Sequence, residues 1–101
     1  MSVYVFAFLN VENEEGYKEY TAISPACIAK YGGRFFFRNG PREYLEGAAI
    51  DSRIVMLQFD SKEQVQRWYD SPEYTEAKKI RMANSTGSLF MFEPSGTSPS
   101  A

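Results

Sequence analysis

Val3-Tyr4-Val5-Phe6-Ala7-Phe8-Leu9 is the stretch that decides the fold. Strand side chains alternate between faces, so Val3, Val5, Ala7 and Leu9 share one side and Tyr4, Phe6 and Phe8 the other. Both faces are apolar, which predicts a strand covered on both sides. The run is far short of the ~20 residues that span a bilayer. It also lacks the basic flank and small-residue cleavage site of a signal peptide. With 101 residues the chain holds one core and not two. One covering layer is then its own helices, and the other calls for a second copy of the chain.

Asn13 stands as an N-cap before Glu14 and Glu15, whose charges suit a helix N-terminus. A helical stripe follows through Tyr17, Tyr20, Ser24, Cys27, Ile28 and Tyr31. Ser24-Pro25 predicts a kink in this helix and Gly32-Gly33 its end. Arg34 to Arg38 reads as a second strand, with Phe35 and Phe37 on one face and Arg34, Phe36 and Arg38 on the other. Asn39-Gly40-Pro41 turns the chain into a short segment, Arg42 to Glu46, closed by Gly47. Arg53 to Phe59 is a third strand. Ser61 and Gln64 form a capping box that opens a second helix with Val65, Trp68 and Tyr69 on its apolar face. Ser71-Pro72 repeats the Ser-Pro interruption before Tyr74, Ala77 and Ile80, and Gly87 precedes a last strand from Leu89 to Glu93.

The order β-α-β-β-α-β defines an α+β, ferredoxin-like sandwich over residues 1–93, built as two related β-α-β halves. The tail, 94–101, is Ser, Gly, Pro, Thr and Ala only and is expected to be flexible.

Composition narrows the function classes. A net charge of −2 leaves no basic footprint for nucleic acid. The chain has no histidine, which removes the commonest general base, the commonest metal ligand and every Ser-His or Cys-His nucleophile. The lone Cys27 reads as a small buried hydrophobe, and a chain with a single cysteine and no export signal is expected in the cytoplasm. No metal and no cofactor are expected. Seven tyrosines and eight phenylalanines point to an aromatic-walled interior or interface.

What remains for chemistry is arginines, carboxylates, an amide and phenols. With Phe35 and Phe37 toward the helices, Arg34, Phe36 and Arg38 face the second covered surface and describe an anion pocket with an apolar wall. The alternative is that Arg34 and Arg38 pair with Glu43 or Glu46 across a sheet edge. Gln58 shares the alternation of Ile54 and Met56, so its amide meets either a ligand or a neighbouring side chain. Tyr17, Tyr20, Trp68, Tyr69 and Tyr74 sit at helical spacing, mainly as core packing, with a minority of hydroxyls turned to a pocket.

In combination, Gly32-Gly33-Arg34-Phe35, Leu45-Glu46-Gly47, Phe59-x-Ser61 and Trp68-Tyr69-x-Ser71-x-Glu73-Tyr74 resemble the uncharacterised DUF1330 family over nearly the whole chain except its tail. The resemblance implies the dimeric α/β-barrel superfamily, in which two ferredoxin-like sheets face each other and enclose a pocket. Relatives there include cofactor-independent monooxygenases, lactone isomerases and haem enzymes, and the missing histidine argues against the last. The polar residues that match the family are Arg34, Arg38, Glu43, Glu46, Arg53, Tyr69, Ser71, Tyr74 and Arg81. Family members often carry a Trp two residues after Leu-Glu-Gly; here the chain reads Ala48-Ala49-Ile50, which implies a larger or differently shaped cavity.

The resulting expectation is a homodimer that binds or transforms a small acidic or aromatic molecule, without metal or haem. Glu46, Arg34 and Tyr69 are the candidate catalytic residues, and Arg38, Phe36, Arg53, Gln58, Trp68 and Tyr74 the candidate ligand-binding ones. A buried Glu46 would serve as base while an arginine or phenol holds developing negative charge, as enolisation, isomerisation or substrate-driven oxygen chemistry requires. The competing expectation is a non-catalytic homodimeric interaction or stress-associated module whose barrel is filled by its own rings.

Overall fold

A computed structural model describes residues 2–94. The elements are β1 (Val3–Val11), α1 (Glu14–Lys30), β2 (Arg34–Arg38), β3 (Arg53–Phe59), α2 (Lys62–Asp70), α3 (Pro72–Asn84) and β4 (Ser85–Phe92). The sheet runs β2-β3-β1-β4 with every neighbouring pair antiparallel. This is the ferredoxin-like α+β architecture that the strand and helix order predicts. The flexibility expected of the tail concerns residues 95–101, which lie outside the described residues.

The helices cover one sheet face only. Val3, Val5, Ala7 and Leu9 of β1 and Leu57 and Phe59 of β3 form the core with Tyr17, Tyr20, Cys27 and Ile28 of α1 and with Val65, Trp68, Tyr74 and Ala77 of α2 and α3. Trp68 and Tyr74 lie 4.3 Å apart by ring centroid, and Phe59 packs on Trp68 at 5.4 Å. Full burial of such rings is worth roughly 1.5–3 kcal/mol each, which makes this cluster the main anchor of the helices.

The opposite face is bare in the single chain. Tyr4, Phe6 and Phe8 stand beside Gln58, Met56 and Ile54 of β3 on one flank and Phe92, Phe90 and Ser88 of β4 on the other. Phe6 stacks on Phe90 at 5.6 Å, and Phe8, Phe36, Phe37, Phe90 and Phe92 are all exposed.

Three expectations need correction. Pro25 does not interrupt α1, whose 17 residues continue through it. Pro25 removes the one helical bond to the Thr21 carbonyl, which lies on an exposed residue, while buried contacts on both sides of it hold the helix together. The expected short segment, Arg42 to Glu46, is neither helix nor strand. Its shape is set by side chains: Arg42 donates to the Ile50 and Ser52 carbonyls at 2.6 and 2.7 Å, and the Tyr44 hydroxyl bonds both backbone groups of Ile50. The last strand starts at Ser85, opposite Val11, because α3 ends directly against the start of β4. Gly87 therefore lies inside β4, at φ 139, where a Cβ would meet the Phe8 carbonyl oxygen at 2.0 Å.

The third correction moves charge between faces. Arg34 lies opposite Gln58 and Phe35 opposite Leu57, but Phe37 then pairs with Met56 and Arg38 with Val55, so Phe36 is an extra residue in a β-bulge. The bulge reverses the alternation after Phe35. Phe37 faces the bare aromatic surface instead of the helices, and Arg38 faces the helices instead of the bare surface.

Candidate functional site

Between α1 and the sheet lies a cavity of about 270 Å³. Its floor is Val5, Ala7 and Leu9 of β1, Arg53, Val55 and Leu57 of β3, and Phe35 and Arg38 of β2; its roof is the Tyr17, Tyr20, Ser24 and Ile28 face of α1. Trp68 and Leu89 close it toward α2 and β4. The lining follows directly from secondary structure: alternate residues of three strands below, helical spacing above, with Arg38 brought in by the bulge.

The cavity is chemically lopsided. Its two charged lining residues are both arginines. Arg38 lies over the Phe35 ring, 3.7 Å from its centroid, and Arg53 lies 5.7 Å from the centroid of Tyr17. Among the described residues, neither guanidinium forms an ion pair. The pairing of Arg34 or Arg38 with Glu43 or Glu46 does not occur; instead Arg34 donates to the Gln58 side chain at 3.1 Å, and Gln58 in turn donates to Ser2.

Behind the cavity, the helices carry a cluster of phenols. Tyr17 and Tyr20 are 5.5 Å apart by ring centroid, and the Tyr20 hydroxyl meets the Tyr74 hydroxyl at 2.7 Å. Burial raises the pKa of all three, and well above the ordinary value for Tyr20; Arg53 and Arg81 oppose that rise at Tyr17, and Arg81 opposes it at Tyr20 and Tyr74. Each therefore remains a neutral O–H at neutral pH. Arg81 itself is 6% exposed on α3 and belongs to no ion pair among the described residues.

Of the residues singled out from sequence, Arg38, Arg53 and Trp68 come together around the cavity. Arg34, Phe36 and Gln58 do not join them: Arg34 and Gln58 pair on the bare face, and Phe36 is 60% exposed against Tyr4. Glu46 lies in the exposed 39–52 loop. Tyr74 is buried in the helical layer, and Tyr69 lines a shallow groove with Phe90 and Met91. Tyr17 and Tyr20, which sequence assigns to the core stripe, line the cavity as well. Their shared one-turn spacing with Ser24 was the available signal, but a stripe of rings carries the same pattern whether it meets a core or a cavity.

Cys27 is buried, and burial raises its thiol pKa, the opposite of what a nucleophile needs. No helix of the described residues is long and apolar enough to cross a membrane.

Fold and cavity together define a single ferredoxin-like domain with a small-molecule-sized space under its first helix. The chain belongs to the DUF1330 family, a domain of unknown function, whose model matches residues 2–94. No curated protein matches it in sequence. Among solved structures, RPA0582 from Rhodopseudomonas palustris, a protein of unknown function, is similar at TM-score 0.77 and 17% identity, covering 95% of this chain and 84% of that one. SnoaB from Streptomyces nogalater, a cofactor-independent oxygenase, is similar at TM-score 0.70 and 18% identity, covering 97% of each chain. A dabb-family protein with a ferredoxin-like fold from Mesorhizobium loti is similar at TM-score 0.69 and 12% identity, covering 94% and 98%. At these identities the likeness is one of fold.

Proposed function

We propose that the protein binds and transforms a small acidic or aromatic molecule in the cavity beneath α1, using Arg38, Arg53 and Trp68, without metal or haem. The observation that carries this reading is a cavity whose charged residues are two arginines that form no ion pair among the described residues. Arg53 is half-buried and its Nε has no hydrogen-bond partner among the described residues, which is costly unless an acceptor arrives, and the exposed Arg38 adds attraction for an anion. The cofactor-independent oxygenase of similar fold makes oxygen chemistry on the ligand itself one member of the reaction class. Native mass spectrometry of the protein purified under mild conditions tests this. The expected result is a bound organic acid or aromatic that is lost in Arg38→Ala and Arg53→Ala; ligand-free protein that binds no aromatic or organic acid added to it would overturn the reading.

The same proposal includes a homodimer formed through the bare sheet face. Phe6, Phe8, Phe90 and Phe92 with Ile54 and Met56 offer a contiguous apolar surface on a small domain, and a two-fold pairing would cover it with its own copy. In such a dimer these rings fill the space between the sheets, and the two ligand cavities lie outside it, one under each α1. This feature of the competing module, a barrel packed with side chains, is thereby compatible with ligand binding.

A further inference from the structure

Three buried side-chain atoms lack a hydrogen-bond partner among the described residues: Arg53 Nε, Trp68 Nε1 and Arg81 Nε. All three are donors and none is an acceptor. Arg53 and Trp68 both line the cavity, and Arg81 stands behind the phenols that roof it. A buried N–H without an acceptor costs on the order of 1–3 kcal/mol, more when it belongs to a charged group. Arg53 and Trp68 are the two of these that line the space, and a molecule that brings lone pairs and negative charge has a donor to meet there, whereas Arg81 lies outside the lining.

The protein does not supply that charge. The groups facing the Arg53 end are Tyr17, Tyr20 and Tyr74, the guanidinium groups of Arg38 and Arg81, and, at longer range, the exposed Glu14 of the first helical turn. Burial keeps the phenols protonated, so they act as further O–H donors and not as counter-ions.

The space is also polarised along its length. Arg53 lies opposite Leu9, at one end of β3, whereas Trp68 packs on Phe59 at the other end. The β3 lining runs from Arg53 to Leu57, four steps that correspond to roughly 13 Å at about 3.3 Å per residue. Between Arg53 and Trp68 the lining is Val5, Val55, Leu57 and Ile28.

We propose that the cavity takes its ligand as an oxyanion conjugated to a ring, with the negative oxygen between Arg53 and the Tyr17 hydroxyl and the ring directed toward Trp68. This deepens the small-molecule reading above and rests on it. Tyr17 donates a hydrogen bond to the anion, and Arg81, through its field on the phenol cluster, is a positioning residue.

The test uses the single tryptophan, Trp68, as reporter and para-nitrophenol as probe, with nitrobenzene as its neutral counterpart. Both are expected to change Trp68 emission. Bound para-nitrophenol is expected to show its phenolate absorption at lower pH than the free probe, an apparent pKa lowered by about one unit, which is a tenfold preference for the anion. Arg53→Gln is expected to abolish that shift while nitrobenzene still binds, and Tyr17→Phe, which keeps the ring, to reduce it. A bound probe whose pKa rises, or an equal shift in wild type and Arg53→Gln, overturns this proposal alone. Failure of both probes to bind the folded protein, judged by an unchanged thermal transition, overturns the small-molecule reading with it.

Discussion

The two faces of the sheet share the same central strand, β1, and end in opposite chemistry. On the helix side, β1 contributes Val3, Val5, Ala7 and Leu9, all buried, around a space that holds two arginines. On the bare side it contributes Tyr4, which meets Phe36, and Phe6 and Phe8, which pack on each other and on Phe90 of β4, and the arginine there, Arg34, is bonded to Gln58. The side with small aliphatic residues leaves room, whereas the side with large rings fills its own. Selective binding belongs to the first kind of surface and self-association to the second.

That contrast can be broken at several points. The largest effect is expected from Trp68→Ala, which empties the 1% exposed anchor between the sheet and α2 and α3 and is expected to cost about 3–5 kcal/mol in denaturant unfolding. A loss under about 1 kcal/mol would show that the helix-side cluster does not hold the layers together. On the other face, Phe90→Asp is expected to convert the proposed dimer to monomer in sedimentation velocity, with the Trp68 response to para-nitrophenol retained. A dimer that survives this charge places its interface elsewhere.

A subtler change tests the bulge. Deleting Phe36 is expected to leave Arg38 on the helix side, since Phe37 and Arg38 keep their partners Met56 and Val55 once the extra residue is gone. The deletion variant should fold and retain probe binding; a variant that folds but behaves like Arg38→Ala in the same titration would mean that the bulge itself is required.

The smallest effect concerns acid. Glu73, at the start of α3, pairs with Lys30 and accepts from the Tyr31 hydroxyl at 2.9 Å, which ties the end of α1 to the helix layer. Its pKa is lowered to about 2, first by the Lys30 hydrogen bond and then by bonds to the backbone and Tyr31. Because the folded value lies below the ordinary one near 4.5, the pairing stabilises the fold fully above that value and fades as pH falls from 4.5 toward 2. Glu73→Gln should flatten the thermal-stability profile over that window, lowering stability near neutrality and converging on the wild type as pH approaches 2. An unaltered acid limb would show that other carboxylates set it.

Much of this architecture is legible from residues alone, because it follows from period and caps. Alternation in β1 gives a strand with two apolar faces, of which the helices cover one, and Asn13 and Ser61 cap α1 and α2 through the expected side-chain bonds. The two Ser-Pro pairs show where local signals stop. At Ser71 the hydroxyl bonds both the Trp68 carbonyl and the Tyr74 N–H, so it ends one helix and starts the next; at Ser24 no such pair of caps forms and α1 continues. The site was harder to read. Phe35, Phe36 and Phe37 are identical side chains, and nothing in them marks which is the extra residue. Regular alternation therefore puts Arg38 on the wrong face, although Arg38 and Arg53 both stand among the candidate ligand-binding residues. Glu46 was attractive as a carboxylate near matching motifs, yet its loop is organised by Arg42 and Tyr44 and lies away from the cavity lining.

The bulge at Phe36 also bears on how relatives of this chain should be compared. Four steps separate Arg34 from Arg38, an even count that puts two side chains on the same face of a regular strand; one inserted residue makes the effective count odd. A one-residue gap in an alignment of β2 would then preserve the facing of both arginines, while an ungapped match without the bulge would reverse one of them. In this chain, the parity of the strand and not the identity of its residues is what assigns charge to a face.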